Sequence, residues 1–342
     1  NGRQICSSEK PYIIAELSAN HCGSLARALE SIKAAKEAGA DAVKIQTYNP
    51  SSMTLDIDRE DFLIKEGTWK GYKLFDLYKE AFTPYEWHPQ LFEYAQNIGI
   101  TIFSSPFDES AVDLLYKLDT PAYKIASFEI VDLPLIKYIA SKGKPILIST
   151  GMSTEIEINE ALEVAKNYGN GEILLFHCIS SYPAATSDSN INMIKTLKNK
   201  FNVEIGLSDH TLTNTAALAA VAMGATAIEK HFTLDRKDIG PDSSFSIEPR
   251  ELEKLKKETS ECWSSLGNGD FHRCNEEKKN IIFRRSLYFV KDMEPGQIIT
   301  KKDIQRIRPG YGLSPKFYEK ILHKKIKNYV KKGDRVSWEV IE

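Results

Sequence analysis

Between Tyr12 and His231, eight short runs rich in β-branched residues alternate with stretches of helical periodicity. No other feature constrains the fold of this chain as strongly. The runs are 12–16, 42–48, 101–104, 122–126, 145–149, 172–177, 203–207 and 227–231. Helical patterns such as 155–167 and 214–223 separate them. Ser24 stands where it can cap a helix whose Leu25, Leu29 and Ile32 share a face, and Gly39 stops that helix. The phrase Glu37-Ala38-Gly39-Ala40-Asp41-Ala42-Val43-Lys44 returns as Ala222-Met223-Gly224-Ala225-Thr226-Ala227-Ile228-Glu229, a repeated helix-stop-strand grammar. Eight such units over about 250 residues predict an α/β fold of the TIM (β/α)8 barrel type. A doubly wound sheet would need a glycine-rich phosphate turn after its first strand, and Glu16-Leu17-Ser18-Ala19-Asn20 is not one.

The pattern changes after Trp263. The polar stretch 267–281 reads as a linker between a barrel at 1–266 and a small, mostly β domain at 282–342. In that tail, Asp292-Met293-Glu294-Pro295-Gly296-Gln297 and Tyr329-Val330-Lys331-Lys332-Gly333-Asp334 look like two versions of one turn. Within the barrel, the connection 49–83 is long for a βα loop. It carries Trp69, Tyr72 and the run Leu74-Phe75-Asp76-Leu77-Tyr78, and reads either as a partly helical flap at the mouth or as an outer decoration.

Charged residues make up 27 % of the chain and the formal net charge is −2, so there is no general electrostatic case for binding nucleic acid or a membrane. No apolar run is long enough to span a bilayer, and the start does not read as a signal peptide. Five cysteines without CxxC spacing argue against a disulfide framework or zinc ribbon, so a cytoplasmic location is expected. Cys22 and Cys178 fall near strand ends. Each is expected to be a buried small hydrophobe before a reactive thiol.

Every strand of such a barrel ends at the same mouth, so groups far apart in sequence converge there. Glu16 closes the first run, Ser208-Asp209-His210 the seventh and Glu229-Lys230-His231 the eighth. On adjacent strands His210 and His231 are expected either to come within joint reach of one metal ion or to serve as hydrogen-bonded structural residues, and the neighbours Ser208-Asp209 and Glu229-Lys230 favour the metal. Lys44 and Lys124 lie on the second and fourth runs. A buried lysine needs either a bound anion or an internal acid such as Glu16 or Glu129. Hydroxyls gather at the same ends (Ser104, Ser105, Ser127, Ser149, Thr150, Ser180), as a phosphate or carboxylate pocket requires. Glu16 is the candidate for proton transfer or for holding a substrate hydroxyl, or else a structural partner of a lysine. Asp242 follows the eighth run on a loop, where it either binds sugar hydroxyls or an amide or is simply solvated.

These residues closely resemble the sialic acid synthase (NeuB-like) family, whose members condense phosphoenolpyruvate with an amino-sugar to give nonulosonic acids. The motifs that carry the likeness run from Ala15-Glu16 through Lys44-Ile45-Gln46, Lys124-Ile125-Ala126-Ser127, His177-Cys178, Tyr182-Pro183, Ser208-Asp209-His210 and Glu229-Lys230-His231-Phe232. The tail from Arg284-Arg285-Ser286 to Arg308-Pro309-Gly310 resembles the family's antifreeze-like (SAF) domain. The resemblance implies that His210 and His231 bind a divalent metal, manganese before magnesium or cobalt. It implies phosphoenolpyruvate held by Lys44, Ser105, Lys124, Ser127, Ser149 and Ser180, and the sugar by Gln46, Tyr182, Asp242 and Arg308. It further implies a domain-swapped homodimer in which Arg308 reaches the neighbour's substrate. Leu17-Ser18-Ala19, the Trp69 to Tyr78 flap and Gly312-Leu313-Ser314-Pro315-Lys316-Phe317-Tyr318 resemble the branch that makes pseudaminic acid, with legionaminic and N-acetylneuraminic acid as the alternatives.

Overall fold

The computed structural model describes residues 2–342, which contain ten strands, each placed by a short run of β-branched or aromatic residues. Eight of them, β1 (Tyr12–Glu16), β2 (Ala42–Thr47), β3 (Thr101–Pro106), β4 (Tyr123–Ile125), β5 (Ile146–Ser149), β6 (Ile173–Cys178), β7 (Glu204–Ser208) and β8 (Ala227–His231), fall on the expected runs. They are parallel and close into a barrel, with Glu16 level with Lys44 on β2 and with His231 on β8. The TIM-barrel expectation therefore holds.

Side chains alternate across a strand, and this alternation builds two cores from one set of sequences. Ile13, Ala15, Val43, Ile45, Ile148, Ile205 and Ile228 point outward and pack under the surrounding helices. Ile14, Ala42, Phe103, Leu147, Leu174, Phe176 and Ala227 point inward and form an apolar plug. Gly206 makes room for that plug, because a Cβ there would lie 2.6 Å from the Phe176 ring. The helices begin as their sequences suggest. Ser24 accepts the Arg27 N–H, and Thr154 with Glu157 forms a reciprocal capping box at the head of Glu155–Tyr168.

The connection 49–83 contains two helices, Pro50–Met53 and Leu74–Ala81, and it lines the cavity at the barrel mouth. Of its two readings, the flap describes it.

The chain divides into two compact units, one ending at Gly267 and the other spanning Asn268–Glu342. The stretch read as a linker includes the short helix Asn275–Lys279. In the second unit β9 (Ser286–Phe289) and β10 (Ile304–Ile307) pair antiparallel over a core that includes Leu287, Phe289, Ile299, Ile326 and Val336. The two similar turns lie side by side, with Met293 and Val330 exchanging both backbone hydrogen bonds, at 2.9 and 3.0 Å.

Candidate active site

Above the apolar plug, the next inward position on four strands carries a charge. Lys44 Nζ lies 2.9 Å from a Glu16 oxygen and 3.2 Å from Glu229, and Lys124 Nζ donates to both Glu229 oxygens at 3.0 Å. All four side chains are almost fully buried. Burial alone would raise the Glu229 carboxyl, but the Lys124 and Lys44 ammoniums outweigh it and hold it at about 2. Lys44 is likewise held above its ordinary value, against burial, by Glu16 and Glu229. Burial wins at the other two members. It raises Glu16 despite Lys44, and lowers Lys124 despite Glu229. Glu16 is thus the carboxyl of the set that most readily carries a proton, which suits it to proton transfer.

His210 and His231 stand together at the ends of β7 and β8, with ring centroids 5.5 Å apart. His210 Nδ1 donates to the Ile179 carbonyl at 2.8 Å, so the proton is on Nδ1 and Nε2 keeps its lone pair. Burial lowers His210 to about 4 and holds His231 well below the ordinary imidazole value, so both rings are neutral at pH 7. His231 Nδ1 is buried without a hydrogen-bond partner, and the nearest Asp242 oxygen is 3.9 Å away. His210 Nε2, which meets only the Ser208 hydroxyl at 3.4 Å, and the orphaned Nδ1 of His231 stand on neighbouring neutral rings and fit a divalent cation. Among the described residues no third His, Cys, Asp or Glu joins them as a ready-made metal cluster. Water or substrate oxygens would have to complete the coordination shell.

Tyr182 covers the pair, its ring 4.3 Å from His210 and 5.8 Å from His231. Ser18 donates to Asp242, and Gln46 Nε2 donates to Ser18 at 2.9 Å and to Glu16 at 3.0 Å. Asn20 ties the loop after β1 to the loop after β8 through the Phe232 carbonyl and Ser246. Behind the histidines, Lys230 Nζ pairs with Asp209 at 2.8 Å and donates to the carbonyls of Thr211 and Thr213 at 2.6 and 3.2 Å.

On the opposite side the hydroxyls converge. Lys44 reaches Ser105 at 3.4 Å. Ser127 accepts the Gly151 N–H at 3.2 Å and lies 3.0 Å from Cys178 Sγ, and Ser180 is 3.8 Å from the same sulfur. A Cβ on Gly151 would collide with Ser127, Cys178 and Ser180 at once, so only glycine allows the cradle to close. The whole site opens into a cavity of about 390 Å³.

Glu16, Lys44, Gln46, Ser105, Lys124, Ser127, Ser149, Tyr182, His210, His231 and Asp242 all line that cavity. Ser180 does not line it, although its hydroxyl is 3.8 Å from the sulfur of Cys178, which does. Arg308 is exposed and belongs to the second unit. Three sequence expectations need correction. Glu129 pairs with neither lysine: it lies past β4 at the cavity wall, where burial pushes its carboxyl up to about 7. Cys22 is exposed rather than buried, because its loop after β1 turns outward with φ at 47°. Asp242 is a buried partner of Ser18, not a solvated loop residue. The sequence reading passed over Glu229 as a site residue. Its signal was the two-residue spacing from His231, which puts both on the inward face of β8.

Comparisons with known proteins agree with this fold. The model of the NeuB family matches residues 31–271, and that of the SAF domain matches residues 284–342. A pseudaminic acid synthase of Campylobacter jejuni is 48% identical over 331 residues, covering 97% of this chain and 96% of its own. A pseudaminic acid synthase of Helicobacter pylori is 41% identical, covering 98% of each chain. A crystal structure of an N-acetylneuraminic acid (sialic acid) synthetase from Leptospira borgpetersenii, in complex with citrate, is 34% identical with a TM-score of 0.72, covering 80% of this chain and 90% of that one.

Proposed function

The chain belongs to the NeuB family, and we propose that it condenses phosphoenolpyruvate with 2,4-diacetamido-2,4,6-trideoxy-L-altrose and water to give pseudaminic acid and phosphate by C–O cleavage. Near-full-length identity to pseudaminic acid synthases carries this reading. The site chemistry supports it. Lys44 and Lys124 are the only cations lining the cavity among the described residues, enough for one phosphorylated anion. An aldolase acting on a phosphorylated sugar would need a second cationic site.

In the proposed reaction, C3 of phosphoenolpyruvate forms a bond to the aldehyde carbon of the open-chain sugar. Water then adds at C2, and the C2–O bond to phosphate breaks to leave the ketone. Lys44, Lys124 and the cradle of Ser105, Ser127 and Ser149 hold the anion throughout, with Ser180 as a further proposed member beside Cys178. The raised carboxyl of Glu16 gives a proton to the aldehyde oxygen as it becomes a hydroxyl, and takes one from the added water. Gln46, Tyr182 and Asp242 position the sugar. His210 and His231 would hold a divalent metal, proposed as manganese with magnesium or cobalt as alternatives, which when bound polarises a carbonyl oxygen.

The proposed domain limits are a barrel at 1–266, a linker at 267–281 and the SAF domain at 282–342. Residues 282–342 hold 15 Lys and Arg against 7 Asp and Glu, a formal +8 in a chain of −2, so the remainder carries −10. Those opposite charges, with Phe128 and Met152 more than half exposed just past β4 and β5, support a homodimer in which Arg308 of one copy reaches the sugar in the other. No helix of the described residues is long and apolar enough to cross a membrane, and all five cysteines are free. A cytoplasmic enzyme is proposed on that basis.

Phosphate release from phosphoenolpyruvate with manganese tests the reading. Release with the altrose sugar alone, abolished by EDTA, is expected. Release only with N-acetylmannosamine or the legionaminic precursor would reassign the sugar within the family.

A further inference from the structure

The cavity is polar on one side only. Its floor and one wall carry the charges, imidazoles and hydroxyls already described, whereas the flap side is built from Tyr48, Met53, Ile64, Trp69, Leu74, Leu77, Tyr78 and Ala81. Two of the three polar side-chain groups of that side are committed within the protein, the Tyr78 hydroxyl being the third. The Tyr48 hydroxyl donates to the Tyr78 carbonyl at 3.3 Å and the Trp69 indole N–H to the Pro241 carbonyl at 3.0 Å. Thr68, next to Trp69, donates to the Tyr182 carbonyl. These bonds, with the Trp69 ring 5.5 Å from Tyr182 and 6.3 Å from Phe245, seat the flap over the site. What Met53, Leu74, Leu77 and Trp69 present to the cavity is hydrocarbon and ring surface with no spare donor.

The orientation of the sugar follows from the proposed chemistry, on which this step rests. The aldehyde carbon has to stand by the strand ends that carry Glu16, His210 and His231, so the far end of the open chain extends away from the floor. We infer that the flap wall formed by Met53, Leu74, Leu77 and Trp69 is the subsite for the deoxygenated C6 methyl end of the sugar. It selects 6-deoxy substrates by leaving a C6 hydroxyl without a partner. A hydroxyl moved from water to such a surface loses its hydrogen bonds and gains none. An apolar pocket rejects an added hydroxyl only moderately, by about 10²-fold. That scale sets the expected preference.

Two open-chain substrates separate the terms: 2,4-diacetamido-2,4,6-trideoxy-L-altrose and its 6-hydroxy counterpart, which differ only at C6. With the full-length protein, phosphoenolpyruvate and manganese, kcat/KM should favour the 6-deoxy sugar by about 10²-fold. Met53→Gln and Leu74→Gln each place an amide on the half-buried wall. Each should narrow that preference to about tenfold or less while the KM for phosphoenolpyruvate stays put. Two positions on different helices guard against one amide disturbing the fold, which thermal melting reads. A preference unchanged in both variants, with normal melting, would overturn the subsite. Turnover of neither altrose sugar by the unmodified protein would instead overturn the proposed function, and the subsite with it.

Discussion

Glu229 sits between two ammonium groups at the barrel floor, and its value to the site is that it keeps both charged and close together in the absence of an anion. Removing its charge leaves two buried cations short of a partner. Glu229→Gln should therefore cost about 3–5 kcal/mol of stability, read by urea unfolding, and phosphate added to the variant should recover part of it. Glu16 has the opposite bias, since burial raises it. Glu16→Gln should leave the fold intact and lower kcat by roughly 10²–10⁴ with little change in the KM for phosphoenolpyruvate, measured by steady-state kinetics. Glu129 offers a pH test. Its carboxyl moves from an ordinary 4.5 to about 7 on folding, so between those values the folded protein binds the extra proton. Its contribution is greatest below 4.5 and is lost as pH rises through 7. Glu129→Gln should remove that fall and stabilise the protein at pH 8 by roughly 1–3 kcal/mol relative to pH 5.

At the scale of elements, the period of a strand explains how one barrel serves as both core and catalyst. On β8, Ala227, Glu229 and His231 face inward while Ile228 and Lys230 face the helices. Lys230 then braces the loop after β7 from behind, so the two strands that end in histidines are tied by the Asp209–Lys230 pair at 2.8 Å. Lys230→Met would strand a buried Asp209 and release two carbonyls. A loss of about 3–5 kcal/mol is expected from thermal or denaturant unfolding. The strand runs, the helix caps and the inward lysines were legible in sequence because each is a local pattern. The flap was not: 49–83 has mixed periodicity, and only its contacts with Pro241 and Tyr182 decide that it lies over the mouth.

The molecule as a whole is electrically divided, with +8 on residues 282–342 and −10 on the rest. If the proposed exchange of domains is correct, Arg308 acts on a neighbouring barrel. Arg308→Ala should then be poorly active, and mixing it with inactive Glu16→Gln should restore activity. Each mixed dimer would hold one site with both residues intact. Activity no higher than the sum of the separate variants would rule the exchange out.

What the sequence determined by itself is the list of parts. Eight β-branched runs dictated a barrel, and the groups at their ends could be named before any coordinates, because strand polarity sends every end to one mouth. Period two alone would also have shown Glu229 as an inward residue. Which acid meets which lysine was beyond it. Lys44 and Lys124 share Glu229, not Glu129, because barrel tilt and register set the height of each side chain, and Lys124 meets Glu229, 105 residues away, only once the barrel closes. The protonation bias within the quartet, the inward-facing nitrogens of the two neutral histidines and the apolar wall of the flap were also decided only in three dimensions. Each depends on burial and on partners that distant segments supply.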